Sequence, residues 1–282
     1  MDASFVVPIP TLHLFPILDR ELIALLKSLT PEEWEAPTLA PLWKVKDIAA
    51  HLLDGNMRTL SMLRDGYAGD PPGAIHAYED LLAYLNGLNA SWVAATKRLS
   101  PRVLIEWLEL TGKQYCDYLE TLDPFAKAAF SVAWAGESES LNWFHIAREY
   151  TEKWHHQQQI REATGRPGLL SRELFHPFIA TFMRGLPHAY RNTAAENGAC
   201  LKVTITTNAG GDWFLIRQEG KWELVESYSG KPAASLFIAP DTAWKLFTKG
   251  ITPEMAREKT AINGDAKLAS TALGMIAVMA AR

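Results

Sequence analysis

The stretch REYTEKWHHQQQIREATGRP, Arg148 to Pro167, gathers glutamates, two adjacent histidines and three glutamines in a segment that otherwise reads as helix. At ~100° per residue, His145, Glu149, Glu152, His156 and Gln159 fall within roughly 80° of arc and make one polar stripe. Phe144, Ala147, Thr151 and Trp154 repeat at the same spacing on another face, where a helix packs. His155 lies about 100° from His156, so only His156 shares the stripe with Glu152. A carboxylate and an imidazole four residues apart converge on one point and suit a divalent transition metal. Such pairs also recur on solvated helix faces, so a third ligand is required. His51, in LWKVKDIAAHLLDGNMRTL, is the candidate, because it borders the stripe of Ile48, Leu52, Thr59 and Met62 and points inward. A lone inward histidine is more often a core residue with a satisfied partner, so the reading depends on His51 meeting the Glu152 and His156 pair.

The elements that must position these residues are helices. Thr11 to Leu29 is amphipathic, and Ser28 or Thr30 with Pro31, Glu32 and Glu33 is a helix-start signal. Further helices are expected over Val45 to Tyr67, from His76 or Tyr78 to Leu99, over Pro101 to Leu122 and over Asn142 to Thr164. Long helices with short or proline-marked joins predict an up-and-down bundle. After Gly165-Arg166-Pro167 the texture changes. LFHPFIATFMRGLPHAYR reads as a connecting helix. LKVTITTN, GDWFLIRQEG, KWELVES and ASLFIA are rich in β-branched and aromatic residues and read as strands. DTAWKLFTKG and DAKLASTALGMIAVMAA return to helix around an INGD turn. The expected organisation is an all-α domain over residues 1–168 and a smaller α+β domain over 169–282.

Composition excludes several function classes. A formal net charge of -4 and no basic run give no electrostatic reason to expect nucleic acid or acidic lipid as a partner. The first residues lack a charged stretch before their apolar part and contain three prolines, unlike a signal peptide, and nothing approaches a membrane span. Cys116 and Cys200 stand far apart and suggest no disulfide framework, so a cytoplasmic setting is expected. Nucleophile-elbow, P-loop and GxGxxG patterns are absent. Arg58, two turns beyond His51, and Arg148 are candidate anion clamps. His13, His76, His176 and His188 read as surface or packing residues, and most tryptophans as core or bundle rim.

The segment W-K-V-K-D-I-A-A-H, Trp43 to His51, together with E-K-W-H-H-Q-Q-Q-I-R, Glu152 to Arg161, resembles the paired signature of the DinB-like four-helix-bundle superfamily. More narrowly, it resembles the mycothiol-dependent maleylpyruvate isomerase family. That family's pattern, a histidine followed at long distance by E-x-W-x-H-x-x-D-x-R, implies one divalent metal, zinc or nickel, held by His51, Glu152 and His156. W-F-L, K-W-E-L, A-W-K-L-F and I-N-G-D-A-K-L are similar to the family's sterol-carrier-protein-like C-terminal domain. The chain departs from the pattern twice. Gln159 stands where the family has aspartate, and a basic side chain expected after A-W-K-L-F is present only as Lys249, whose ammonium lacks arginine's bidentate grip.

Three protein ligands leave a tetrahedral metal one open position, the arrangement of catalytic sites. The resemblance implies that a low-molecular-weight thiol such as mycothiol is activated there. Its thiolate adds to a conjugated double bond, rotation follows, and elimination releases the isomer. The same activation serves an S-transferase acting on a small electrophile. A DinB-type metal-dependent hydrolase and a non-catalytic small-molecule or lipid-binding protein are the alternatives.

Overall fold

Local sequence signals account for the helix starts. Thr30 and Glu33 form a reciprocal cap, with the Thr30 amide donating to Glu33 Oε2 at 2.8 Å and the Glu33 amide donating to Thr30 Oγ1 at 3.3 Å. They open α2, Pro31–Trp34, which follows α1, Phe15–Lys27. The Lys44 amide donates to Asp47 Oδ2 and starts α3, Val45–Thr59, while Ser100 caps α5, Pro101–Glu120, through the Val103 amide. Between them lies α4, Tyr78–Thr96, and after them α6, Asn142–Ala163. All five long helices stand where the apolar periodicity puts them. One difference is local: α3 does not continue as α-helix to Tyr67 but passes into a π-helical turn over Leu60–Arg64.

The computed structural model describes residues 8–279, and these divide into two compact units. Thr11–Ala129 with Glu152–Gly168 makes up the helical unit, and Phe130–Thr151 with Leu169–Val278 the sheet unit. The first ten residues of α6 are thus counted with the sheet unit and the remainder with the helical unit.

In the helical unit α3 packs against both α4 and α5, and α5 against α1. Leu22, Leu26, Val45, Ile48, Leu53, Leu104 and Ile160 form its core. Each such side chain contributes about 1.5–3 kcal/mol on burial, enough to fix the rotation of each helix about its axis. Ile48 and Leu52 turn α3 inward, and their neighbour His51 goes with them.

The sheet unit carries five strands in the order β3-β2-β1-β4-β5. They are β1 Cys200–Ile205, β2 Gly211–Gln218, β3 Lys221–Val225, β4 Ala234–Ile238 and β5 Thr260–Gly264. β1 and β4 pair in parallel, with Val203 opposite Leu236, and the other pairs are antiparallel. Glu219 and Gly220, at φ 47° and 79°, make the tight β2–β3 turn, whose twist suits a two-residue hairpin. The helices of this unit are α7 Arg172–Met183, α8 Leu186–Ala189, α9 Pro240–Phe247, α10 Pro253–Glu258 and α11 Ala266–Thr271.

Two expectations near the C-terminus are corrected. INGD is not a turn between helices. Ile262, Asn263 and Gly264 belong to β5, opposite Leu236, Ser235 and Ala234, and Gly264, at φ 80°, leads from the strand into the Asp265 cap of α11. The strong turn signal Asn-Gly-Asp hid a short edge strand directly before it. The final helix is also shorter than expected, ending in a 3-10 turn at Ala272–Gly274. Met275 is extended and the Ala277 amide donates to Phe247 O, a tertiary bond that competes with helix continuation. The rest of that expected helix, at 280–281, and the first seven residues lie outside the described residues.

Candidate metal centre

His51 is carried by α3, and Glu152 and His156 lie one turn apart on α6. The three residues each offer a ligand atom, and these atoms lie within 4.8 Å of one another. His156 Nε2 is 3.5 Å from Glu152 Oε2, and the rings of His51 and His156 meet edge-on at 4.6 Å between centroids. His156 is only 7 % exposed, whereas His51 and Glu152 are half-buried, so the group opens on one side.

Electrostatics put the donors in metal-binding form. Burial holds the His51 imidazole well below its ordinary pKa, reinforced by His156, so the ring is neutral. Burial acts to raise the Glu152 carboxyl, but His156 at 3.5 Å and the neighbouring His155 and His51 outweigh this and lower it, so the group is ionised at neutral pH.

The fit to a metal can be tested on the ring nitrogens. His156 Nδ1 is 2.9 Å from Gln159 Oε1; an amide oxygen only accepts, so Nδ1 carries the proton and Nε2 offers its lone pair toward Glu152. His51 Nδ1 is buried and has no hydrogen-bond partner among the described residues, an expense that a native site rarely carries without cause. Two imidazoles and a carboxylate make a nitrogen and oxygen donor set suited to zinc and its neighbours.

From sequence Trp43 reads as a core or bundle-rim residue. Its ring centroid lies 4.8 Å from that of His51 and 6.0 Å from that of His156, making it an apolar wall of the group. The loop holds it in place: the Trp43 amide donates to Ala40 O, and its carbonyl accepts from Thr38 Oγ1 at 2.8 Å. No helical spacing links Trp43 to His51, so only the quoted motif could have pointed to it.

The remaining candidates have other company. His155 is buried beside His156, at 3.9 Å between ring centroids. His145 and Glu149, on the same stripe of α6, belong to the sheet unit and surround Arg148, whose Nη2 donates to Glu149 and lies 3.1 Å from His145 Nδ1. Arg58 pairs with Asp54 at 2.9 Å. Lys249 is in the sheet unit, half-buried just after α9, in a left-handed conformation at φ 63°.

Residues 15–161 match the family model described as the mycothiol maleylpyruvate isomerase N-terminal domain. The chain belongs to this family. The match takes in His51, Glu152, His156 and Gln159 of this maleylpyruvate isomerase family member. A solved structure of a mycothiol-dependent maleylpyruvate isomerase carrying a histidine-to-alanine mutation is 9 % identical and covers 93 % of this chain and 96 % of that one, with a TM-score of 0.56. A second structure of a mycothiol-dependent maleylpyruvate isomerase is 10 % identical, covers 87 % and 91 %, and gives 0.52. At these identities the likeness concerns the fold, which the family member shares over nearly its whole length. The sterol carrier protein domain 2 of Helicoverpa armigera is 20 % identical over 34 % of this chain and 83 % of that one, with a TM-score of 0.28. No curated protein matches the chain in sequence. No helix among the described residues is long and apolar enough to cross a membrane.

Proposed function

We propose that the protein is a thiol-dependent enzyme with a divalent metal, most simply zinc, held by His51, Glu152 and His156. Its reaction is a cis-trans isomerisation of maleylpyruvate or a related conjugated acid, with S-transfer as the related activity. The observation that carries this reading is the convergence of three donor atoms within 4.8 Å beside a tautomer-fixing amide. A divalent cation bound there supplies Lewis acidity, which makes a thiol a nucleophile at neutral pH.

The chain's own residues do the rest. Gln159 keeps Nε2 of His156 aimed at the group, and Trp43 covers the two imidazoles and excludes water from that side. Conjugated diacids need cationic partners, and within the helical unit the candidate is Arg58, two turns beyond His51 on α3 and held by Asp54. Its replacement by methionine should raise KM while leaving metal content unchanged.

Metal analysis of the purified protein, followed by assay of a cis-configured conjugated acid with and without an added low-molecular-weight thiol, tests the reading. Activity should need both metal and thiol and should disappear in His156→Ala. Thiol-independent ester or amide hydrolysis by the metal-loaded protein would favour a DinB-type hydrolase instead. Full isomerase activity after metal removal would exclude both.

A further inference from the structure

A surface helix ordinarily carries one apolar face, but α5 carries two. Leu104, Leu108, Tyr115 and Leu119 are buried on its inner side. On the outer side Val103, Trp107, Leu110 and Gln114 follow one another at helical spacing within about 60° of arc. Trp107 is 46 % exposed and Leu110 57 %, while Val103 and Gln114 are half-buried. A large aromatic ring left in water is a typical anchor of a protein interface.

The charges beside this stripe are self-complementary. Arg102, Glu106, Lys113 and Asp117, all exposed, occupy the adjoining arc of about 60°. Arg102 pairs with Glu106 at 2.8 Å and Lys113 with Asp117 at 2.7 Å. The signs along the helix thus run plus, minus, plus, minus, and a two-fold axis crossing α5 between Glu109 and Leu110 interchanges unlike charges. At a rise of 1.5 Å per residue, Glu106 and Lys113 lie about 5 Å to either side of that point, and Arg102 and Asp117 about 11 Å. Glu109, next to the centre, is taken up by Lys27 of α1.

We propose that this face of α5 binds a second copy of the chain, antiparallel, about that two-fold axis. Leu110 meets Leu110 of the second copy at the axis, between the two Trp107 rings. Glu106 faces Lys113 of the second copy, and Arg102 faces its Asp117, so each pair within the helix becomes part of a four-charge group. A parallel pairing in register would set Arg102 against Arg102 and Glu106 against Glu106, and like charges reject it. Exposed ion pairs contribute little each, so the apolar stripe supplies the affinity and the charges fix direction and register. Such two-fold, self-complementary contacts are the commonest form of oligomer interface. The proposal is independent of the metal reading, because none of the three donors lies on α5.

Sedimentation equilibrium on the full chain tests this. The wild type should dimerise with a Kd at or below about 100 µM, in keeping with a small, non-obligate interface. Leu110→Asp should weaken self-association by about tenfold or more, since it places two carboxylates together at the axis. Glu106→Lys and Lys113→Glu should each weaken it about threefold to tenfold, and the double variant should return to within about twofold of wild type, because the exchange restores unlike neighbours across the axis. These positions are exposed, so the variants should keep the wild-type circular dichroism and melting. In a second measurement a short bismaleimide should crosslink Leu110→Cys rapidly. It should not crosslink Arg102→Cys, whose two copies stand about 22 Å apart along the antiparallel pair; Cys116 and Cys200 are buried and give no background. A monomer at every accessible concentration, indifference to Leu110→Asp, failure of the double variant to recover, or equal crosslinking at both cysteine positions would each overturn the proposal.

Discussion

Gln159 Oε1 accepts a hydrogen bond from Nδ1 of His156 at 2.9 Å, one helical turn along α6. The amide thus fixes the tautomer at this position without adding a charge. Because partners of ligating histidines tune metal affinity, Gln159→Leu should weaken metal binding about 10–100-fold. Gln159→Asp should restore it. Chelator competition measures both, and equal affinities for all three proteins would show that Gln159 is a bystander.

The three donors should act as a set. Loss of His51, Glu152 or His156 leaves two ligands, which rarely hold zinc, so each alanine variant should lose nearly all bound metal on dialysis. His155→Ala should retain it. Metal content by mass spectrometry decides, and parallel loss in His155→Ala and His156→Ala would mean the wrong neighbour was selected.

His145 gives a pH dependence in the acid range. Burial, aided by the Arg148 charge and opposed by Glu149, brings its imidazole from 6.5 down to about 4. The unfolded chain therefore binds the proton first as pH falls. The stabilising contribution is complete above the unfolded value and is lost between pH 6.5 and about 4, on the order of 3 kcal/mol in total. In urea melts the stability of wild type should fall across that window more steeply than that of His145→Gln. Parallel curves would contradict the assignment.

Asp19 and Lys153 form a largely buried ion pair at 2.8 Å, with Lys153 Nζ also 4.6 Å from the Tyr115 ring centre. Lys153→Met leaves the Asp19 carboxylate uncompensated and should cost about 3 kcal/mol in denaturant melts. Gly112→Ala should also destabilise, since a Cβ there would lie 2.7 Å from Asp19 Oδ2. Burial, with Asp19 alongside, pushes the Cys116 thiol up to about 12, so it should resist alkylation until the protein unfolds. Rapid labelling of Cys116 in the native protein, or unchanged stability in Lys153→Met, would refute this picture.

The sequence by itself determined the five long helices of the first 165 residues and four of the five strands, because apolar periodicity and turn residues act within a few neighbours; it did not mark the short helix α10. It also determined that Glu152 and His156 share a helix face, a consequence of the 3.6-residue turn. It did not determine β5, whose edge position beside β4 depends on a partner twenty-odd residues away and whose own residues are dominated by Asn-Gly-Asp. Nor did it determine how His51 stands to that pair. The two helices are about a hundred residues apart in the chain, and only core packing around Ile48, Leu52 and Ile160 sets their rotation. Tertiary structure alone also brought Trp43 against both imidazoles, gave the Arg58 charge to Asp54, and made Gln159 a partner of His156. Those relationships depend on side-chain rotamers and through-space distances, which spacing along a chain does not encode.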